Sequence, residues 1–222
     1  MIWFVPTLFG LLALVFTISH IIPADPVAFL AGDNATNEQI ADLRAQYGFD
    51  KPLYIQFFNY VIGTFQGDLG ISLYTQRPIT DDLLGRLPAT LELTFVSVFV
   101  SAVLGVPLGV IAAVYRNSIA DHILRLITVS GLAIASFWLA ILFQLFFAME
   151  LQWTPLQGRI DGWGPDHITG FFLVDSLLTQ DWEVFGSAFS HLVLPVTTLA
   201  FPAMATIVRF TRAGVFDAIN SN

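Results

Sequence analysis

One uninterrupted apolar segment sets the fold class of this chain. Between Leu87 and Tyr115, Glu92 is the only charged residue. As a helix rising about 1.5 Å per residue, this segment exceeds the hydrocarbon core of a bilayer, which is about 30 Å thick. A soluble domain of 222 residues has no interior thick enough to surround such a helix. We therefore predict an all-α, polytopic membrane protein.

Three further apolar segments predict three more membrane-spanning helices. The four predicted spans cover residues 2–22, 88–115, 123–149 and 191–213 of a single transmembrane domain that extends over residues 1–222. Composition agrees, because 12% of the residues are charged, whereas globular proteins carry about 25%. The first segment could instead be a cleaved signal peptide, but it has no basic residue before its apolar core, and that core is longer than usual.

The connecting segments differ in charge, and this difference predicts the orientation of the chain. Residues 23–87 carry eight acidic and four basic side chains, and residues 150–190 carry six acidic side chains and one arginine. The connection 116–122 and the end of the chain carry Arg116, Arg209 and Arg212 instead. Because positively charged residues stay on the cytoplasmic side, we expect both acidic segments to be external and both termini to be cytoplasmic.

The predicted orientation assigns single residues to one side of the membrane and bears on which partners the outer face can bind. It places Asn34 and Asp166 outside the membrane and Asn117 and Asn222 inside. An acidic outer face argues against nucleic acid and anionic lipid as partners there.

Two helices are predicted in the first external segment. Thr36 or Asn37 can cap a short helix that ends at Tyr47 before Gly48, and Pro52 then occupies the first position of the next helix. In that second helix, residues 54–65, aromatic and aliphatic side chains recur at helical spacing. Because it is too short to span a membrane, we interpret it as an interfacial amphipathic helix.

Prolines in and next to the predicted second and fourth spans predict that those helices are irregular. A last helical turn over Thr80–Leu87 is expected to end before Pro88. In the second span, Gly105-Val106-Pro107-Leu108-Gly109 combines a proline, which removes a backbone hydrogen bond, with glycines that allow close helix contact. Pro195 and Pro202 predict a similar irregularity in the fourth span.

The sequence contains no recognisable catalytic or nucleotide-binding motif. It has no G-x-x-x-x-G-K-[ST] segment, no metal-ligand spacing among its histidines and no nucleophile elbow. We therefore expect no catalytic residue, no metal, no cofactor and no ATP hydrolysis by this chain. Ion-coupled transporters place ionisable groups near the middle of the membrane. None lies there in the predicted spans, so transport would need energy from a partner.

Glu92 and Gln144 are the candidate residues of a substrate pathway, and each has two interpretations. The favoured interpretation of Glu92 is a carboxylate at the membrane interface or near the N-terminus of its helix, where the dipole stabilises it. The alternative is a contact with a cationic part of the substrate. For Gln144, an interhelical hydrogen bond is favoured over a contact with substrate.

Several short motifs in a fixed order carry a family resemblance. They are Ile22-Pro23-Ala24-Asp25-Pro26, residues 43–53 (LRAQYGFDKPL), Gly67-Asp68-Leu69-Gly70-Ile71-Ser72-Leu73, residues 86–93 (RLPATLEL), residues 105–109 (GVPLG), Ser136-Phe137-Trp138-Leu139 and His191-Leu192-Val193-Leu194-Pro195. Together they resemble the inner-membrane permease subunits of dipeptide, oligopeptide and nickel ABC importers over essentially the whole chain.

The resemblance implies a bacterial or archaeal plasma-membrane protein that works with partners. These would be a second homologous permease subunit, two cytoplasmic ATPase subunits and an external solute-binding protein, in addition to the lipid bilayer and without nucleic acid. Residues at the predicted cytoplasmic side become candidates to face the ATPases: Arg116, Arg209, Arg212 and Asp217. By charge alone, Arg209 and Arg212 are most simply positive-inside anchors.

The chain departs from the family pattern at three places. Ala135 replaces a usual proline, which predicts a straighter third span. Family members often begin with a basic segment before the first span, whereas this sequence opens directly on Met1-Ile2-Trp3. The chain is also expected to stop at Asn222, where the family continues into a cytoplasmic coupling loop and two more spans.

Two functions remain as alternatives to an ABC importer permease on the sequence alone. One is a secondary transporter, against which the lack of mid-membrane charges counts. The other is a membrane scaffold that does not transport, which truncation before the coupling loop would favour.

Overall fold

The structure is a computed structural model that describes residues 3–21, 27, 35–72, 74–165 and 168–220. Within these ranges, regular structure is helical apart from one antiparallel bridge between Ile71 and Pro78, which confirms the predicted all-α class. Some sequence predictions fall outside the described residues: the motif at 22–26 and the sidedness of Asn34, Asp166 and Asn222.

The chain divides into two compact units, Met1–Arg86 and Leu87–Asn222. The first unit contains α1 (Phe4–Ile21), α2 (Asn37–Tyr47) and α3 (Leu53–Gln66). Aromatic side chains join α1 to α3, since the ring centroid of Phe57 lies 5.5 Å from that of Phe9 and 5.3 Å from that of Phe16. Edge-to-face pairs of this kind add about 0.5–1.5 kcal/mol beyond the burial of their surface.

Local sequence sets the ends of α2 and α3. The Thr36 hydroxyl accepts a hydrogen bond from the Gln39 N–H at 3.3 Å, and the Gln39 side-chain oxygen accepts one from the Thr36 N–H at 2.9 Å, which is a capping box. Gly48 ends α2 at φ +72°, a conformation that glycine adopts without strain. These ends match the prediction. Pro52, however, is the N-cap of α3 and not its first helical residue.

The second unit is built around one long helix. Its elements are the greater part of α4 (Ile79–Val114), α5 (Ile119–Ala133), α6 (Ser136–Phe143) with a π-helical continuation (Gln144–Glu150), α7 (Phe172–Leu178) and α8 (Trp182–Asn220). α8 packs against α5, α6 and α7, and it also contacts α4 through small side chains.

A stripe of small residues lets α8 approach α4 closely. Every fourth residue of this part of α4 is small and buried: Ser97, Ser101, Gly105 and Gly109. A Cβ on Gly109 would lie 2.6 Å from the Cβ of Thr211, and one on Gly105 would lie 2.9 Å from an α8 side chain. The Ser101 hydroxyl donates to the Ala200 carbonyl of α8 at 3.2 Å. The close contact predicted at the two glycines is therefore confirmed.

The bend between α5 and α6 contradicts the straighter third span predicted from Ala135. The two helices meet at 104°. Ile134 (φ −81°, ψ 127°) and Ala135 (φ −65°, ψ 126°) are both extended, and any residue can adopt that conformation, so no proline is required. Next to the bend, a Cβ on Gly131 would lie 3.2 Å from the Ala205 Cβ and 3.3 Å from the Phe201 ring, which shows how closely α5 approaches α8 there.

The two longest helices continue through four prolines: Pro88, Pro107, Pro195 and Pro202. The predicted helix end before Pro88 is wrong, because α4 begins at Ile79 and runs on to Val114. A proline removes one helical hydrogen bond, yet α4 continues past Pro88. Gly170 lies close to this proline, since a Cβ on Gly170 would be 3.0 Å from the Pro88 ring. Glu92 consequently lies well inside α4, so stabilisation at the N-terminus of its own helix does not apply to it.

Two of the described helices are by themselves long and apolar enough to cross a membrane. They are Ile79–Val114 and Trp182–Ile219, whose most apolar windows have mean hydropathies of 2.4 and 1.7. The bent pair Ile119–Ala133 and Ser136–Glu150 adds a third if it forms one span, and Phe4–Ile18 is apolar but shorter. Two or three spans are therefore supported by length and composition, and the count of four stays a prediction.

Candidate functional site

The buried carboxylate of Glu92 joins α4 both to the segment before α7 and to the first turn of α7. Glu92 is 5% exposed. Its Oε2 accepts a hydrogen bond from Nη2 of Arg159 at 2.8 Å, and its Oε1 accepts one from the Leu173 N–H at 2.7 Å. Arg159 Nη2 also donates to the Gly170 carbonyl at 3.0 Å, and its guanidinium lies 3.7 Å from the centre of the Phe172 ring. Both carboxylate oxygens are thus engaged within the protein.

A second buried carboxylate, Asp175, orders the loop that leads into α7. Its Oδ1 accepts hydrogen bonds from the Thr169 hydroxyl at 2.6 Å and the Thr169 N–H at 2.9 Å, and its Oδ2 accepts one from the Gly170 N–H at 2.9 Å. Burial raises the pKa of the Asp175 carboxyl, but the bonds from Thr169, Gly170 and Ile168 outweigh burial and hold the pKa below its usual value. The carboxylate form therefore stabilises this loop.

Gln144 lies at a cavity of about 210 Å³ that α8 also lines, through His191, Pro195 and Thr198. Gln144 begins the π-helix, a local distortion that is frequent at functional sites. Its Nε2 donates to the Leu156 carbonyl at 2.7 Å. That carbonyl belongs to a connecting segment, so the interhelical partner favoured from the sequence is not the partner observed.

Just beyond the C-terminal end of α4, Asp121 in the first turn of α5 is the centre of a charged cluster. Asp121 is 1% exposed. Its Oδ1 accepts from Nε of Arg212 at 2.9 Å, and its Oδ2 accepts from Nη2 of Arg212 at 3.0 Å, from Nη2 of Arg125 at 3.1 Å and from the Asn117 N–H at 3.1 Å. Two parallel bonds from one guanidinium are the strongest form of this interaction. They join the start of α5 to the last part of α8.

Three of the four residues predicted to face the ATPases line one cavity of about 410 Å³: Arg116, Arg212 and Asp217. The Arg116 guanidinium lies 4.3 Å from the centre of the Phe216 ring, and Asp217 is exposed. Arg209 does not line this cavity and lies 5.2 Å from the ring of its neighbouring phenylalanine. The structure therefore brings together three of the four, and it separates them from Glu92 and Gln144.

Sequence reasoning missed the partners in these clusters. Asp121 has a recognisable local signal, because Ser118 caps α5 and Arg125 follows Asp121 by one helical turn. Arg159 is the only basic residue in an acidic segment, which hints at a carboxylate partner but does not identify Glu92. Among the described residues there is no group of three or more side chains placed to hold a metal ion.

Two family profiles match the chain in succession. Residues 3–94 match the N-terminal component of the binding-protein-dependent transport system membrane proteins. Residues 105–222 match the "Binding-protein-dependent transport system inner membrane component".

Curated relatives are similar over nearly the whole chain. The probable D,D-dipeptide transport system permease protein of Escherichia coli strain K12 is 41% identical over 96% of this chain and 63% of its own length. The dipeptide transport system permease protein of the same strain is 33% identical, over 98% of this chain and 66% of the relative. A glutathione transport system permease protein of Escherichia coli O6:H1 is 35% identical, over 98% and 62%. The chain therefore spans slightly less than two thirds of these relatives.

Proposed function

The chain belongs to the family of binding-protein-dependent transport system inner membrane components, and on this premise we propose that it is a permease subunit of an ATP-driven importer of peptides or similar small solutes. The names of its relatives, which refer to dipeptides and glutathione, support this substrate class.

The observation that carries the proposal is the spacing of the charged clusters along the second unit. From Glu92 to Arg116, α4 and its following turn contain no other charged residue, and this distance is about 36 Å along a helix. On α8, the uncharged stretch between His191 and Arg209 is about 27 Å long. Both match a hydrocarbon core about 30 Å thick, so each cluster would lie at one membrane surface.

In the proposed topology, four spans form one permease domain with both termini in the cytoplasm. The C-terminal end of α4, next to Arg116, is then cytoplasmic, in keeping with the retention of arginine on that side. Residues 23–87 and 150–190 are external, and the solute-binding protein would dock on them. The Glu92–Arg159 pair supports such a role because it keeps part of the second external segment in a fixed position.

Energy would come from two cytoplasmic ATPase subunits, and a second homologous permease would complete the pathway. Arg116, Arg209, Arg212 and Asp217 are the proposed ATPase-facing residues. Arg212 can transmit movement from there, since its bonds to Asp121 couple the end of α8 to the start of α5.

Gln144 is the better supported of the two proposed pathway residues. It lines the 210 Å³ cavity between the π-helix, α8 and the connecting segment. Glu92 would shape the pathway by holding the Arg159 segment in place, and a direct contact with substrate would require that pair to open.

Uptake by the complete complex in proteoliposomes tests this function. We expect accumulation of a labelled dipeptide when ATP is enclosed with the ATPases, and none with a non-hydrolysable analogue. Accumulation driven by an ion gradient without ATP would indicate a secondary transporter. A correctly assembled complex that accumulates peptide under neither condition would indicate a scaffold.

A further inference from the structure

The arginine cavity is defined as the 410 Å³ cavity near Asp121. It forms where α4 ends, α5 begins and α8 passes beside both. Three arginines from these three places line it: Arg116, Arg125 and Arg212. Convergence of three arginines from separate elements on one cavity is unusual, because their mutual repulsion must be offset.

The carboxylates nearby offset only part of this charge. Asp121 is buried and pairs with Arg212 and Arg125, and exposed Asp217 is the second carboxylate at the cavity. Three positive charges against two negative charges leave one positive charge. Within the described ranges Arg116 makes no ion pair, and its guanidinium is held by a cation–π contact with Phe216.

The arginines also keep hydrogen-bond donors that Asp121 does not use. Arg212 contacts Asp121 through Nε and Nη2, which leaves Nη1, and Arg125 contacts it through Nη2 alone. The Arg125 and Arg212 side chains are 55% and 32% exposed. Asp121 therefore orients two guanidinium groups whose remaining N–H groups can reach a ligand.

A tetrahedral phosphate suits these donors. Guanidinium groups bind phosphate oxygens in pairs, and several arginines converging on one cavity can contact several oxygens at once. Exposed side chains close in sequence to Arg116 and Asn117, which line the cavity, favour a phosphate that carries acyl chains. Tyr115 is 61% exposed and Ile119 is 80% exposed, at the level where lipid headgroups meet the hydrocarbon if α4 spans the bilayer. Basic pockets between membrane helices are known to bind anionic headgroups.

We infer that the arginine cavity binds a phosphate-bearing group, and that its source is the headgroup of an anionic phospholipid. This goes beyond the proposed function, because binding requires neither ATPases nor transported solute. The site lies where α4 ends, near Arg116. Anionic lipid is not expected at the acidic segment around Arg159, which lies away from this site.

Lipid binding to the purified chain in nanodiscs tests the inference. We expect native mass spectrometry to show phosphatidylglycerol retained in preference to phosphatidylcholine. Arg116→Gln should weaken phosphatidylglycerol retention about fivefold, the effect of one arginine near a membrane surface. Arg209→Gln is the matched control, because Arg209 also lies over a phenylalanine ring of α8 but outside the cavity. It should leave retention unchanged.

A second arm distinguishes the source of the phosphate. Inorganic phosphate is added to the detergent-solubilised chain, and protection against thermal unfolding is measured beside that given by short-chain phosphatidylglycerol. Protection by the lipid that Arg116→Gln weakens supports the inference as stated. Protection by inorganic phosphate alone keeps the phosphate site but overturns the lipid source. Equal retention of the two lipids, or equal weakening by Arg116→Gln and Arg209→Gln, overturns the site itself.

Discussion

Glu92 and Arg159 lie 67 positions apart in the sequence and form an ion pair 2.8 Å long. The carboxylate is 5% exposed and the arginine side chain 33% exposed, so the pair is buried on one side and reaches solvent on the other. Removing one partner from such a pair leaves a buried charge without compensation. The pair is therefore a sensitive test of how the connecting segment is held to α4.

The Glu92–Arg159 pair is predicted to stabilise the second unit. Glu92→Gln should lower the free energy of unfolding by about 1–3 kcal/mol, less than for a fully buried pair because solvent screens Arg159. Thermal unfolding in detergent measures the effect. Glu183→Gln, at an exposed glutamate in the first turn of α8, is the control and should change stability little.

A double-mutant cycle separates the pair from other contacts of the two side chains. Glu92→Gln combined with Arg159→Met should cost less than the sum of the single substitutions, with a coupling of about 1 kcal/mol or more. Strict additivity would contradict an energetic role for the pair.

The closest approach of α4 and α8 is predicted to depend on Gly109. Gly109→Ala places a Cβ 2.6 Å from the Thr211 Cβ, so the helices must separate, at a cost of about 1–3 kcal/mol. Gly214→Ala is the matched control, because it lies in α8 with no heavy atom near the added Cβ. It should be neutral or stabilising by up to about 1 kcal/mol. Equal unfolding temperatures of the two variants would disprove the close contact.

Acid is predicted to weaken the loop before α7 through Asp175. Because its pKa is lowered in the folded state, its contribution is complete above the unfolded value of about 3.9 and is lost as pH falls through the folded pKa. Asp175→Asn should therefore destabilise the protein by roughly 1–3 kcal/mol at pH 7. The difference from the unsubstituted chain should shrink below pH about 4.

Unfolding temperatures between pH 3 and 8 measure this difference. Asp50→Asn, at an exposed carboxylate, is the comparison and should change stability little. A constant difference between Asp175→Asn and the unsubstituted chain over the whole range would contradict the role of the charged form.

The proposed orientation predicts which engineered cysteines an impermeant thiol reagent can reach in intact cells. The sequence contains no cysteine, so each substitution gives a single label site. Trp163→Cys, at a side chain 94% exposed, should be labelled. Ala120→Cys should be labelled only after permeabilisation. Ala120 is preferred to neighbouring Asn117, whose φ of +63° a cysteine would adopt with strain. The opposite pattern would reverse the orientation.

Features that depend on a few consecutive residues were predictable from the sequence. The long apolar segment around α4 indicated a membrane helix, and Thr36 and Gly48 marked the ends of α2. Gly105 and Gly109 indicated a close helix contact. In each case the signal arises from hydrophobicity, a cap or the lack of a side chain, which act over a turn or a span of one helix.

Only the tertiary structure decided which distant residues meet. Nothing near Glu92 identifies Arg159 as its partner, and Arg212 reaches Asp121 across 91 positions. The bend at Ala135 and the continuation of α4 through Pro88 were likewise misjudged, because Ala135 is extended without a proline and α4 accommodates Pro88 within its helix. The sequence by itself determined that this chain forms apolar membrane helices. The packing of those helices decided which charges are paired, since an ion pair requires two side chains to be within a few ångströms of each other in the folded chain.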